Sequence, residues 1–467
     1  MARKQPIWEE VTVTGIADKG MSVGRDKTGR VVFLQGGLPG DVVDVRILRK
    51  RKGIWQGVPE KMHRASPDRI SAPCQHFLDC GGCKWQDLDY HAQLNQKEQV
   101  VRNAMSRIAK VDIGQFEEIL GSEKIFQYRN KMEYSFSNQR WKTKEEIALN
   151  EEIQSDGALG LHPPRFFNKV VDIHECLLQE HLSNDIRNFV RTYALKYNLS
   201  YFDPMQHKGF LRNMIIRNTK DGQWMVVMSF HHEAKSEREA LLNELVKKFP
   251  QITSLHYVIN RKKNDTLFDQ DIQCYHGQDH IVEEIGDLHY KIRPKSFFQT
   301  NPHQAEQLYD LTKDYCSLEG TETVYDLYTG TGSIALYVAK TCREVVGVEE
   351  VGDAIKDAQE NAERNQISNA HFYVGDVKSV FSPALLQKHG SPDVLIADPP
   401  RGGMHGKVIE NILEGEPHRI VYISCNPSTQ ARDIQLLSEK YQVAKMRPVD
   451  MFPHTSHIEN VAQLIHR

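Results

Sequence analysis

One cysteine in this 467-residue chain stands where a side chain can do chemistry. Cys425 ends the apolar run RIVYISC, and Asn426-Pro427 turns the chain directly after it. A buried cysteine is most often a small hydrophobe, so the thiol alone says little. At the carboxyl end of a strand in an α/β sheet, however, it would stand on the rim where ligands bind. A thiolate there can add to the 6-position of a pyrimidine and turn the ring into an enolate whose 5-position attacks a sulfonium methyl group. The adduct must then lose its 5-position proton, and Glu459 in HTSHIEN is the candidate base. His454 and His457 flank it, and each alone reads as structural, although either can orient the loop.

The ends of four more apolar runs are stocked with polar groups. The first ends in Asp326-Leu-Tyr328-Thr-Gly330-Thr-Gly332-Ser333, whose glycines let the backbone approach a ligand at a helix start. EVVGVE ends in Glu349, placed to accept ribose hydroxyls; the third run ends in Asp376, suited to an adenine edge, and the fourth in Asp398-Pro-Pro. The glycine turn lacks the Gly-x-Gly-x-x-Gly form of NAD enzymes, because position 335 is Ala. An acidic residue ahead of YTGTG suits a cationic sulfonium, so S-adenosylmethionine is the expected cofactor.

A second thiol set is Cys74-x5-Cys80-x2-Cys83, with Cys176 far downstream. Four thiolates hold either zinc or a [4Fe-4S] cluster, and spacing barely separates the two. Cys274, Cys316 and Cys342 lack matching partners.

These residues need elements to hold them. Residues 1 to 70 hold 14 Lys and Arg against 8 Asp and Glu, so this end carries +6 and the remainder −9. EVTVTGIA, RVVFLQG and DVVDVRILRK alternate as strands, with Gly-rich turns DKGMSVG and GGLPGD between them, and predict a small closed barrel. Its run RILRKRK at 46 to 52 suits a phosphate backbone. DYHAQLNQKEQVVRNAMSRIAK mixes polar and apolar residues as an exposed helix does, and a helix over about 87–110 is expected to reach the catalytic domain. Residues 125 to 290 return to strands with one helical segment, SEREALLNELVKKF; after 291 strands alternate with helices, which implies a doubly wound parallel sheet. The expected domains are therefore 1–61, 62–290 and 291–467. No run of about 18 apolar residues and no leader-like start is present, which predicts a cytoplasmic protein without membrane contact.

SFFQTN (296 to 301), DLYTGTGSIAL (326 to 336), ADPPRGG (397 to 403), YISCNPSTQARD (422 to 433) and DMFPHTSHIE (450 to 459) follow one another in the order of the RNA uracil-5-methyltransferase family, which the chain resembles over nearly its whole length. The resemblance implies a Rossmann-like SAM-dependent methyltransferase domain with Cys425 as nucleophile and Glu459 as base. It places Gln299, Tyr328, Glu349 and Asp398 on S-adenosylmethionine and Phe297 against the flipped base. At 328 and 333 this chain has Tyr and Ser where Phe and Asn are usual. The N-terminal OB-like barrel resembles a TRAM domain, an RNA-binding module, joined to a central α+β domain. In the ribosomal branch of the family, cysteines in this pattern hold a [4Fe-4S] cluster, which assigns Cys74, Cys80, Cys83 and Cys176 to it. Barrel and cysteines together point to 23S ribosomal RNA as partner, with another of its uridines or transfer RNA as the alternative; a monomer is expected, and no protein partner is implied. An amino-group methyltransferase would leave Cys425 idle and lacks its aromatic at Arg401. A cytosine-5 enzyme and a non-catalytic RNA-binding assembly factor are the other rivals.

Overall fold

The computed structural model describes residues 5–17, 20–148 and 157–467; Asp18 and Lys19 of the first Gly-rich turn lie outside them. Strands β1 (Ile7–Ile16), β2 (Ser22–Arg25), β3 (Val31–Leu34), β4 (Val42–Arg51) and β5 (Ile54–Arg64) close a barrel in the order β1-β2-β3-β5-β4. Val11, Val13, Val32, Leu34, Val43, Val45 and Ile47 fill it. The strand β2 falls in a stretch whose glycines read as a turn. Gly24 in fact faces inward, and a Cβ there would meet Val11 Cγ1 at 2.5 Å, so the glycine makes room in a crowded barrel. Strand β5 runs to Arg64, past the expected boundary at 61. Arg49, Lys50, Arg51 and Lys52 are all exposed at the β4–β5 hairpin tip, where Lys52 and Gly53 both take positive φ. Among the described residues no carboxylate pairs with these four cations.

Asp89 caps helix α1 (Tyr90–Ala104), which continues through a π-helical turn at Met105–Ala109. The helix is not exposed as its composition suggested. Gln93, Lys97, Val101 and Ala104 form a buried stripe at helical spacing, and its first two members are polar, which disguised the stripe. Its lower half joins the core of the carboxyl-terminal sheet. Strand β6 (Gln115–Phe116) adds to the edge of that same sheet.

The middle domain is a seven-stranded sheet built from β7 (Lys131–Ser137), β8 (Ala158–Leu161), β9 (Val171–Asp172), β10 (Leu211–Asn218), β11 (Trp224–Phe230), β12 (Ile252–Ile259) and β13 (Gln273–Gly277), in the order β13-β12-β11-β10-β7-β8-β9. Helices α2 (Lys144–Ala148), α3 (His181–Lys196) and α4 (Lys235–Lys248) accompany it.

The hairpin β14 (Ile281–Ile285) and β15 (Leu288–Ile292) packs into the carboxyl-terminal core, so that core begins about ten residues before the expected boundary. Then follow α5 (Pro302–Cys316), β16 (Thr323–Leu327), α6 (Ser333–Ala339), β17 (Glu344–Glu349), α7 (Gly352–Arg364), β18 (Ala370–Val374), α8 (Val377–Val380), α9 (Pro383–His389), β19 (Val394–Ala397), α10 (Gly406–Gly415), β20 (Arg419–Ser424), α11 (Pro427–Leu437), β21 (Tyr441–Val449) and β22 (Glu459–His466). They form an eight-stranded sheet, β18-β17-β16-β19-β20-β22-β21-β6. Strands β16 to β20 are mutually parallel, and β22 inserts antiparallel beside β20. Every residue of β16 and β19 is buried, as expected for strands covered on both faces. Strand order reverses between β16 and β19, which opens a crevice at their carboxyl ends.

Candidate active site

The crevice is a cavity of about 1230 Å³, and Phe297, Gln299, Tyr328, Glu349, Asp376, Asp398, Cys425 and Glu459 all line it. The structure thus brings together eight residues spread over more than 160 positions of sequence.

Register explains how the thiol meets the carboxyl group. In the antiparallel pair β20–β22, Ile423 faces Val461 and Ser424 faces Asn460. The pairing ends there: Cys425 is the first residue beyond β20, Glu459 is the first residue of β22, and both line the cleft. Burial raises the Cys425 thiol to about 11, with Glu459 and Asp398 adding to the rise and Arg401 opposing it. Glu459 is raised well above the ordinary carboxyl range, first by burial and then by Asp398, again against Arg401. Burial alone lifts Asp398 to about 7. Burial therefore favours the protonated forms of these groups, and Arg401 is the nearby cation that favours the charged forms of Cys425 and Glu459.

Arg401, used above only against a rival chemistry, and Arg129 both line the cleft. The signal for Arg401 was its place directly after Asp-Pro-Pro. Arg401 also shapes the turn after the thiol, because its carbonyl accepts from Asn426 Nδ2 at 2.9 Å and Thr429 Oγ1 at 3.3 Å. Its guanidinium Nη2 lies 3.1 Å from His457 Nδ1. Arginine only donates, so that nitrogen accepts and the imidazole is neutral. Burial and surrounding cations lower His457 to about 4, which agrees.

His454 is structural. It is buried at φ +65° with its ring stacked 4.4 Å from Phe126. Its N–H donates to Gln93 Oε1 at 2.9 Å, and its carbonyl accepts from Lys84 N at 2.8 Å and Trp85 N at 3.1 Å. The rest of the loop from Asp450 to Glu459 is held as firmly. Lys97 Nζ reaches Asp450 Oδ1 at 2.5 Å and the Phe452 carbonyl at 3.0 Å; Tyr128 OH donates to the Pro453 carbonyl and Asn301 Nδ2 to the Met451 carbonyl.

On the cofactor side, Glu349 accepts from Gly330 N at 3.2 Å and Val351 N at 3.0 Å, which joins the glycine turn to the end of β17. Tyr328 holds a strained φ of +67° at the head of that turn. Asp376 caps α8 through Lys378 N, and hydrogen bonds from Lys378 hold its carboxyl below the usual range. Asp326 is not a cleft residue: it lies buried beneath the turn and takes the Thr329 hydroxyl at 2.5 Å. Ser333 likewise turns from the cleft, its hydroxyl accepting from Tyr309 at 3.0 Å. Phe297 stands out into the cleft at 70 % exposure while Ser296 and Phe298 on either side are buried. Arg293 fixes that loop through a two-pronged pair with Glu360 at 2.7 Å, and Asn130 N donates to the Thr300 carbonyl.

Cys74, Cys80, Cys83 and Cys176 gather on one side of the middle domain, and each of the six pairs is close enough to disfavour a second thiolate. Burial lifts Cys80 and Cys83 to about 12. Gly82 N donates to Cys80 Sγ at 3.3 Å. Among the described residues no three His, Cys, Asp or Glu side chains stand at metal-holding distances, so the four thiols converge without being closed on a common centre.

A doubly wound sheet with a glycine turn, an acidic second strand end and Asp-Pro-Pro at the fourth defines a SAM-dependent methyltransferase. Residues 194–467 match the tRNA (uracil-5-)-methyltransferase family and residues 9–55 the TRAM domain. A protein of Bacteroides thetaiotaomicron described as an uncharacterized RNA methyltransferase is 47% identical over 438 residues, 93% of this chain and 96% of that one. One of Porphyromonas gingivalis with the same description is 46% identical over 93% of this chain and 95% of its own length. The crystal structure of Pyrococcus abyssi tRNA (uracil-54, C5)-methyltransferase with S-adenosyl-L-homocysteine is 28% identical and superposes with a TM-score of 0.75 over 97% of this chain and 99% of that one. The chain belongs to the tRNA (uracil-5-)-methyltransferase family and is a SAM-dependent RNA uracil-5-methyltransferase. Among the described residues no helix is long and apolar enough to cross a membrane.

The charges around Cys425 set its reactivity, and alkylation by iodoacetamide, read on the Cys425 peptide by mass spectrometry, measures it. The wild-type rate is expected to climb as pH rises toward about 11. Asp398→Asn removes a negative neighbour and should speed alkylation near neutral pH, whereas Arg401→Met should slow it. Reversed effects would show that these side chains do not govern the thiol.

Proposed function

We propose that the enzyme methylates the 5-position carbon of a uridine through a covalent bond between Cys425 and the 6-position carbon. The observation that carries this reading is that β20 and β22 pair up to Ser424 and Asn460, and the next residues, Cys425 and Glu459, line one cleft close enough for the carboxyl group to act on the thiol. Gln299, Tyr328, Glu349, Asp376 and Asp398 would hold S-adenosylmethionine, which would supply an electrophilic methyl carbon. Cys425 gives its proton to solvent and donates its sulfur electron pair to the 6-position. The displaced ring electrons make the 5-position the nucleophile that would take the methyl group, the methyl–sulfonium bond breaking with its electron pair left on sulfur so that S-adenosylhomocysteine departs. Arg401 stabilises the thiolate before it attacks. Glu459, as carboxylate, then removes the 5-position proton, and the electrons left behind restore the ring double bond and expel the thiolate. Phe297 stacks on the extruded uracil.

For substrate, the exposed basic hairpin tip and the four-cysteine set favour 23S ribosomal RNA. Transfer RNA is the second reading, favoured by the likeness to the Pyrococcus tRNA enzyme over 97% of this chain, a span that includes much of the barrel. Incubating the purified protein with methyl-labelled cofactor and either 23S or transfer RNA transcripts should yield 5-methyluridine in the former. Cys425→Ala should abolish methyl transfer and leave RNA affinity within about twofold. Methylated cytidine, or undiminished activity in Cys425→Ala, would overturn the chemistry; methylation of transfer RNA alone would move the substrate to the second reading.

The four thiols suit a [4Fe-4S] cluster by donor type, since four sulfur ligands gathered on one side of the middle domain are the set such a cluster takes. Cys74, Cys80, Cys83 and Cys176 would hold it, and it would tie the loop before α1 to the middle domain. The protein isolated without oxygen is expected to contain about four iron and four sulfide per chain, with a broad visible absorbance that Cys80→Ser removes. One zinc and no iron would refute the cluster.

A further inference from the structure

The cleft extends past Phe297 to the edge of the middle-domain sheet, where His256, Phe268, Asp271, Ile272 and Cys274 line it. None of the roles assigned above reaches that end. Phe268 is 74 % exposed, more than Phe297. Its exposure is built. Leu267 and Ile272 on either side pack against the carboxyl-terminal core. Arg212, 1 % exposed on β10, donates to the carbonyls of Asn260 (2.7 Å), Lys262 (2.6 Å) and Asn264 (2.7 Å) and pairs with Asp265 at 2.9 Å. Lys262 Nζ in turn donates to Thr266 Oγ1 at 2.7 Å and Asp269 Oδ1 at 2.6 Å. A buried arginine and two inward apolar side chains thus fix the backbone around a ring left facing solvent. Displaying an apolar ring forgoes the free energy of burying it, and an ordinary polar loop residue would avoid that loss.

We infer that Phe268 is a second stacking platform, which takes the base of an unpaired nucleotide adjoining the target uridine. The inference rests on the RNA chemistry proposed above and adds a subsite to it. Turning a uridine out of a folded RNA unstacks its neighbour, and every base has a π-face that an aromatic ring can cover. Arg129 and Lys295 line the same cleft, so cations are available for the phosphates that join the two nucleotides. Phe297 and Phe268 would then hold two bases of one strand, and the cleft would select single-stranded or strand-separated sites over intact duplex.

Phe268 lies on the surface, so its truncation leaves the fold intact. With whichever transcript the wild type methylates, Phe268→Ala is expected to raise the KM for RNA about tenfold while kcat and cofactor affinity hold, and Phe268→Trp should restore the wild-type KM. Removing the base on one side of the target uridine, as an abasic nucleotide, should raise the wild-type KM by a similar factor and add nothing further in Phe268→Ala. An unchanged KM in Phe268→Ala, or losses that multiply with abasic sites on both sides, overturns the platform while 5-methyluridine formation by the wild type still stands. A wild type that makes no 5-methyluridine overturns the underlying chemistry and this inference with it.

Discussion

The antiparallel pairing of β20 with β22 is the constraint on which the site depends. Side chains on paired strands face each other in fixed register, and a slip of one residue turns every one of them to the opposite face. Both strands are buried along almost their whole length, so a slip would place polar groups in the core and apolar ones nowhere useful. Core packing therefore holds the strand ends from which Cys425 and Glu459 reach the cleft. The price is electrostatic: a thiol facing a carboxyl group, with Asp398 close by, resists ionisation. Arg401 offsets part of that, and a cationic methyl donor bound beside Asp398 would offset more.

Register fixes only the start of β22, and the nine residues leading to it from β21 need anchors of their own. Those come from distant parts of the chain. Helix α1 supplies Gln93 and Lys97, the cysteine loop supplies Lys84 N and Trp85 N, and the segment leading into β7 supplies Tyr128. Lys97 and Asp450 are both buried, at 1% and 0% side-chain exposure. A pair like this adds little net stability over a well-packed apolar one, yet losing one partner costs about 3–5 kcal/mol because the other is stranded. It acts chiefly as a lock on geometry. The peptide after Cys83 bonds the loop that carries Glu459, and Gly20 of the barrel has no room for a Cβ against Ser456 of that loop. Barrel, cysteine loop and catalytic loop thus meet at one point.

Much of this was legible in the sequence because ligand chemistry collects where parallel strands end. Glu349, Asp376, Asp398 and Cys425 each stand within two residues of the end of an apolar run, and the structure puts all four on one cleft. Patterning failed where polarity stopped reporting exposure. The stripe of α1 opens with two polar residues: Gln93, which bonds the Trp85 and Leu88 carbonyls as well as the distant His454, and Lys97, whose partners Asp450 and Phe452 lie more than 350 residues away, so polarity did not mark it as buried. Gly24 looked like turn punctuation because a glycine that yields space to Val11 is written with the same letter as one that bends the chain. Ser333 sits at the expected position, but its hydroxyl is claimed by Tyr309, a residue no strand-end argument touches.

The account stands or falls on the sulfur–carbon bond. A uridine with fluorine at its 5-position has no proton there for Glu459 to remove, so the enzyme should stall with RNA attached. Digestion and mass spectrometry of wild-type protein treated with 5-fluorouridine RNA and methyl donor should find a methylated nucleotide on the peptide holding Cys425, and none in Cys425→Ser. Attachment elsewhere, or turnover without any attached RNA, would contradict the mechanism.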